Sequence, residues 1–276
     1  MSTFDGTIEL RGAGRRVGSV LPMAPVIAFV VFLLCWQTAS LFFAQRDLPG
    51  VIYVAEQVLV VVSGGGQYQF LTHASISIQR IAIASVISLV IGVTLGTVMG
   101  WAKRGRYLTA PVMIVLAFPS VVWAFVTVMW FGITTYLVMV VVMVLIVAPY
   151  ITVNVWKGAE SIDEDILEMA NAFDAGLAMK WRHVLIPSLM PFVFASARLA
   201  VALSWKLSLV AEIFGATSGI GYVINIYYEA MRADMIIVWS VPMMLAMFLL
   251  ERALHRIETN YFGWRPGDAA ETKRVR

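Results

Sequence analysis

The chain has 276 residues, of which 60% are hydrophobic and 13% are charged. A soluble domain carries about 25% charged residues, so this composition excludes that class and predicts a polytopic membrane protein. The single cysteine, Cys35, excludes an intrachain disulfide and a cysteine-based metal site.

Six apolar runs are long enough to cross a hydrocarbon core of about 30 Å, which takes about 20 residues. They are residues 21–43, 76–99, 110–131, 136–156, 189–214 and 236–254. A shorter run, Val51–Val62, predicts an interfacial helix. We therefore expect an all-α fold with six transmembrane helices. Residues 1–20 form an N-terminal tail, 21–43 the first transmembrane helix, 71–257 a transmembrane domain and 258–276 a C-terminal tail.

Basic residues are distributed unevenly between the two sides of these predicted spans. Fifteen of the twenty Lys and Arg residues lie on the side of the termini and of residues 161–187, whereas only Arg46, Arg80 and Arg232 lie on the other. Cytoplasmic segments are enriched in Lys and Arg. The distribution therefore predicts that both termini and residues 161–187 are cytoplasmic.

The second apolar run carries small residues at four-residue intervals, which allow another helix to approach closely within lipid. They are Ala84, Ser88, Gly92, Gly96 and Gly100. We expect this run to be a central packing helix. Pro111, Pro119 and Pro149 predict kinks in the third and fourth runs, either around a cavity or as ordinary bends.

Residues 161–187 form a long polar segment with helical periodicity. The apolar residues at helical spacing are Ile162, Ile166, Met169, Ala170, Phe173 and Leu177. Ser161 and Glu164 fit a capping box, and Gly176 is expected to turn the chain. Lys180 and Arg182 suit a helix C-terminus, and Pro187 is expected to end the segment, which predicts two short helices. From this pattern alone, the segment either lies among lipid headgroups or docks on a protein.

Glu168-Met169-Ala170, Gly176 and Ile186-Pro187 resemble the EAA loop of ABC importer permeases. Asp174 stands where that motif has a glycine, and Met169 replaces its second residue. Between about residues 71 and 264 the chain is similar to the nitrate, sulfonate and taurine branch of these permeases. The similar positions are His73, Ser77, Arg80, Pro119, 130–132, Pro149, Asn154, Gly158, 197–200, 211–215 and 219–222.

This resemblance implies a type I ABC importer permease core in a bacterial inner membrane. It implies a homodimer, cytoplasmic ATPase subunits and an extracytoplasmic solute-binding protein. The residues that it implies for ATPase coupling are Glu168, Ala170, Phe173, Asp174, Gly176 and Pro187. The implied solute is a small anion such as a sulfonate, taurine or nitrate, although related permeases are thought to move neutral heterocycles.

The fifth apolar run contains charged residues at membrane depth, where a charge costs roughly 2.5–3.5 kcal/mol unless it faces protein or water. Arg198 is expected to make a structural contact rather than a solute contact. Lys206 has no acid of its own helix within reach, since Glu212 lies on another face. An anionic solute or an acid of a neighbouring chain would satisfy it. We expect Trp205, Lys206 and Glu212 on the translocation path, with Glu212 as a gate or helix contact.

Two other classes of function are less consistent with the sequence. A proton- or sodium-coupled secondary transporter normally has acids within its spans and inverted repeats, whereas the predicted spans offer almost no acid besides Glu212 and no inverted repeat is found. An intramembrane enzyme is disfavoured because no HExxH or GxSxG motif is present. The chain also lacks a phosphate-binding GxxxxGK[ST] loop. We therefore predict no enzymatic activity, cofactor or metal in this chain, with ATP hydrolysis on a partner.

Overall fold

The computed structural model describes residues 23–102, 105–132 and 136–262, and within these ranges the regular structure is entirely helical. The predicted N-terminal tail, residues 1–20, lies outside the described residues. The predicted C-terminal tail, residues 258–276, lies outside them from residue 263 onward.

Eleven α-helices are described, together with a 3-10 turn at Gly105–Leu108 and a π turn at Trp181–Leu185. The α-helices are α1 (Met23–Ser40), α2 (Val51–Val62), α3 (Phe70–Trp101), α4 (Thr109–Ala117), α5 (Ser120–Phe131), α6 (Tyr136–Glu160), α7 (Glu164–Ala172), α8 (Leu177–Lys180), α9 (Ile186–Gly215), α10 (Ile220–Glu229) and α11 (Ala233–Phe262). We call the end of the bundle that carries α7 the loop end, and the end that carries α2 and α10 the far end.

The small-residue stripe of α3 packs directly on α6, which confirms the predicted central helix. A Cβ atom placed on Gly92 would lie 2.5 Å from Ile151, and one on Gly96 would lie 2.6 Å from the carbonyl oxygen of Thr152. Such separations leave no room for a side chain. The glycines therefore set the distance between the two most central helices.

Four described helical stretches are long and apolar enough to span a membrane, and a fifth would be the bent pair of α4 and α5. The third predicted span is thus broken, with a bend of 94° between its two halves. The cause is Pro119, because it lacks an N–H and pushes Phe118 into an extended conformation. Helix α1 is shorter than these stretches, so the count of six spans remains a prediction.

The prediction of two short helices in residues 161–187 is correct only for the first one, α7. The second begins at Leu177 and continues without a break through α9 to Gly215, a helical stretch of 39 residues. Pro187 does not end the segment: it lies just after the π turn at Trp181–Leu185, and local π geometry of this kind lets a helix continue through a proline. Lys180 and Arg182 consequently lie near the start of a long helix rather than at the end of a short one.

The cap of α7 also differs from the predicted capping box. Asp163 is the N-cap residue, and its side chain accepts a hydrogen bond from the backbone N–H of Asp165. The hydroxyl of Ser161 instead donates to the carbonyl of Gly158 at the end of α6. The chain needs Ser161 and Ile162 to leave α6, so the new helix begins two residues later than the box requires.

The largest buried apolar cluster joins α2, α3, α9, α10 and α11. Trp239 of α11 is fully buried at its centre, beside Phe70 of α3 and Trp205 of α9. Asp234, at the start of α11, accepts hydrogen bonds from Arg232 and from the hydroxyl of Tyr53 on α2. These contacts hold α2 and α11 together at the far end.

Candidate functional site

The 161–187 loop exposes an apolar surface at the loop end of the bundle. Phe173, the C-cap residue of α7, is 80% exposed, and Leu177 is 71% exposed. Met169 and Ile166 are also exposed, whereas Ile162 packs against the core. Of the other residues implied for coupling, Glu168, Gly176 and Pro187 are exposed and Ala170 is half-buried. The loop thus presents a group of apolar side chains that the described part of the chain does not cover.

Asp174 makes the turn between α7 and α8. Its φ angle is +50°, in the left-handed region that glycine adopts most easily and that Asp tolerates better than most residues. Gly176 was expected to turn the chain, but it has an ordinary φ angle of −62° at the N-cap of α8. The position where the motif has glycine therefore keeps a glycine-like backbone with an aspartate side chain.

Lys206 lies in the second half of α9 with its side chain exposed on the surface of the isolated chain. Within the part of the chain that the structure describes, it makes no ion pair. Trp205 points into the buried cluster around Trp239 instead. The two neighbours were expected to share a surface, but consecutive helical residues are separated by about 100° around the axis. Arg198, also on α9, is half-buried.

Glu212, six residues after Lys206, is fully buried. Its carboxylate accepts hydrogen bonds from the hydroxyl of Ser77 at 2.8 Å, from Nη1 of Arg80 at 2.9 Å and from the backbone N–H of Gly221 at 2.9 Å. Arg80 also donates to the carbonyl oxygen of Ser218 at 2.7 Å. Of the two expected roles for Glu212, the geometry agrees with a helix contact, because the carboxylate is closed off from solvent.

Arg80 was counted on the far side of the predicted spans, at the head of the second apolar run. It lies within α3, is 3% exposed, and its guanidinium stacks 5.0 Å from the ring centre of Tyr136. Its pairing with Glu212 spans 132 positions of sequence and was not anticipated. One signal was available, since a buried acid in an apolar helix requires a donor and the second apolar run contains a single arginine.

The bundle, the exposed loop between two of its long helices and the exposed lysine on an apolar helix define a membrane-embedded permease subunit. Residues 88–258 match the family of binding-protein-dependent transport system inner membrane components. The chain belongs to this family of ABC importer permeases.

Two curated relatives and one solved structure illustrate the relationship. The nitrate import permease protein NrtB of Synechococcus elongatus is 29% identical over 229 residues, which cover 80% of this chain and 82% of that protein. The taurine transport system permease protein TauC of Escherichia coli is 23% identical over 239 residues, covering 85% and 86%. A chain of the MetNI methionine ABC transporter, solved in an inward-facing conformation, superposes with a TM-score of 0.58 at 19% identity, covering 74% and 97%. This last likeness supports the fold.

Proposed function

We propose that the chain is the membrane-spanning subunit of an ATP-driven importer for a small anion. Two copies would form the translocation path, and the loop end would face the cytoplasm. Cytoplasmic ABC ATPase subunits would drive the transporter, and an extracytoplasmic binding protein would deliver the solute. The family of the chain and its similarity to the nitrate permease NrtB and the taurine permease TauC support this proposal.

The observation that carries the coupling role is the exposure of Phe173 and its apolar neighbours on the 161–187 loop. Large aromatic side chains that fill a partner's pocket are frequent hot spots of protein interfaces, worth about 2 kcal/mol or more. A short amphipathic helix presented in this way is suited to a groove on another protein. Glu168 adds a carboxylate beside these apolar side chains, which favours a partner groove with a basic residue at its rim.

The second part of the proposal assigns Lys206 to the translocation path. An ammonium on an apolar helix is costly against lipid, so the exposed face of α9 would be covered by the second copy and by water. The translocation path between two copies would then be lined by two lysines, Lys206 of each copy. Trp205 and Glu212 would hold α9 in place on its buried side, because they contact the rest of the bundle.

The docking role is tested by purifying the tagged chain with its co-expressed ABC ATPase and measuring the affinity of the two subunits. Phe173→Ala and Glu168→Lys should weaken the complex, with about 30-fold lower affinity for the loss of a 2 kcal/mol hot spot. Phe42→Ala is the matched control, because Phe42 is 86% exposed at the far end and should leave the affinity unchanged. Normal retention of the ATPase by both loop variants rejects the docking role.

A further inference from the structure

Three N–H groups at the start of α10 are capped by side chains of other helices. The first N–H groups of an α-helix lack partners within the helix, and Gly219 at the N-cap supplies no side chain. The N–H of Gly219 donates to Nδ1 of His73 at 3.1 Å, and that of Ile220 donates to the hydroxyl of Ser77 at 2.9 Å. The N–H of Gly221 donates to the carboxylate of Glu212. Thus α3 and α9 satisfy three consecutive backbone groups.

The backbone of this turn packs tightly against the side chain of Glu212. A Cβ atom on Gly219 would collide with the carboxylate of Glu212, and one on Gly221 would lie 2.6 Å from the Cβ atom of Glu212. Gly219 also has a φ angle of +109°, which a residue with a side chain adopts only under strain. Arg80 donates hydrogen bonds to the carbonyl oxygen and to the hydroxyl of Ser218, the residue before Gly219. The turn is therefore fixed by its contacts with α3 and α9 and by the positive φ angle of Gly219.

We propose that Glu212 is a positioning residue that locks α10 to α3 and α9, so that these three helices move as one body when the transporter opens at its far end. The inference rests on the proposed function, because it concerns the opening step of an importer. In this arrangement α10 is not a separate lid. A protein that docks on the exposed end of α10, at Tyr228 and Met231, would displace α9 and with it Lys206.

The rigid-body claim is tested by tying α10 to the head of α3. Tyr68, two residues before α3, and Tyr227 of α10 are half-buried, and their ring centres are 6.0 Å apart. Both are replaced by cysteine in a Cys35→Ser background, and the pair is bridged with a short bis-methanethiosulfonate reagent. The readout is ATP hydrolysis by the complex of the chain with its ABC ATPase in nanodiscs. Single-cysteine variants treated with the same reagent are the controls.

The bridged complex should keep at least about half of the ATP hydrolysis of the unbridged one, since the two tied segments do not separate during the cycle. A loss of tenfold or more upon bridging, with the single-cysteine controls unaffected, would overturn the proposal. If the complex of the unsubstituted chain with its ABC ATPase hydrolyses no ATP, the proposed function fails instead. The two failures are therefore distinguishable.

The role of Glu212 itself is tested by hydrogen–deuterium exchange of the amides at residues 219–223. Glu212→Gln should accelerate this exchange by about tenfold or more, while the core of α6 stays protected. Because a charge left unpaired can prevent folding, Arg80→Met/Glu212→Met is compared as well; it removes both charges but also the acceptor for Gly221. If Glu212 positions α10, exchange in α10 stays fast in the double variant. Restoration of wild-type exchange would show that Glu212 only neutralises Arg80, and the proposal would be wrong.

Discussion

Lys206 and Glu212 lie six residues apart on α9. The carboxylate of Glu212 is buried, whereas the side chain of Lys206 is exposed. Glu212 is enclosed by three hydrogen-bond donors from α3 and α10. Lys206 is left on the outer face of the helix. A buried carboxylate without donors would be strongly destabilising, so the network around Glu212 is needed for the fold. The exposed ammonium has no such structural requirement within the described chain, which leaves it available for a solute or a second copy.

Replacement of Lys206 should separate a transport role from a structural one. Lys206→Arg should keep partial uptake because the charge remains, whereas Lys206→Met should abolish uptake while the complex still assembles. A hydrogen bond to a charged group is worth about 1.5–3 kcal/mol, which corresponds to roughly 10–150-fold in affinity. Lys206→Glu should repel the solute. Uptake of labelled nitrate, taurine and an alkanesulfonate is measured together with complex yield in the same membranes.

The control for this series is Lys157→Met, which removes an exposed lysine from the loop end of α6 and should leave uptake unchanged. If Lys206→Met lowers the yield of complex before it lowers uptake, Lys206 pairs with an acid of the neighbouring chain. Wild-type uptake by Lys206→Met would remove the residue from the mechanism.

Asp174 provides a second test at this scale, because its backbone is left-handed. Asp174→Gly should preserve ATPase binding within about twofold, since glycine adopts this conformation without strain. Asp174→Val should weaken binding by tenfold or more, because a β-branched residue strongly disfavours a positive φ angle. Affinity for the ABC ATPase is the measurement. Equal binding by the valine variant would show that the loop does not need this turn.

At the scale of elements, the close contact of α3 with α6 and the break between α4 and α5 each have a local cause. The glycine stripe of α3 sets its distance from α6. Pro119 divides the third apolar run into α4 and α5. The apolar groove between α3, α4 and α6, with a volume of about 340 Å³, lies beside this break and is lined by Pro111, Pro149 and other apolar residues. Glycine thus sets the close helix contact, and proline causes the helix break.

Gly96→Leu should destabilise the chain by about 3 kcal/mol or more, because its side chain would collide with the backbone of α6. The expected result is a clear fall in the thermal unfolding midpoint of the detergent-solubilised chain. Thr94→Leu is the control, since it places the same side chain on the exposed side of α3 and should leave the midpoint nearly unchanged. Equal midpoints for the two variants would contradict the close approach of α3 and α6.

The sequence predicted those elements whose signals are local. The spacing of Gly92, Gly96 and Gly100 identified α3 as a packing helix, and apolar periodicity identified α7. Pro187 was misinterpreted because a proline usually ends a helix, whereas here the π turn before it lets the helix continue. The partners of Glu212 were missed because the Arg80 contact joins two distant runs. Tertiary pairing of this kind has no periodicity that a single sequence reveals.

For the molecule as a whole, the excess of basic residues at the loop end gives a prediction about orientation. In a Cys35→Ser background, Phe42→Cys and Phe173→Cys place single exposed thiols at the far end and the loop end. A membrane-impermeant maleimide should label the Phe42 position in intact spheroplasts, because that end faces outward. It should label the Phe173 position only after permeabilisation. The reverse pattern would place the loop outside and exclude contact with a cytoplasmic ATPase.

The central claim is that this chain moves its solute only when a partner hydrolyses ATP. The most direct measurement is solute uptake and ATP hydrolysis in proteoliposomes that contain the chain alone or with its ABC ATPase and binding protein. The chain alone should hydrolyse no ATP, and the complete transporter should accumulate solute only with ATP on the side of the 161–187 loop. Accumulation by the chain alone, driven by a proton or sodium gradient without ATP, would contradict the account and identify a secondary transporter.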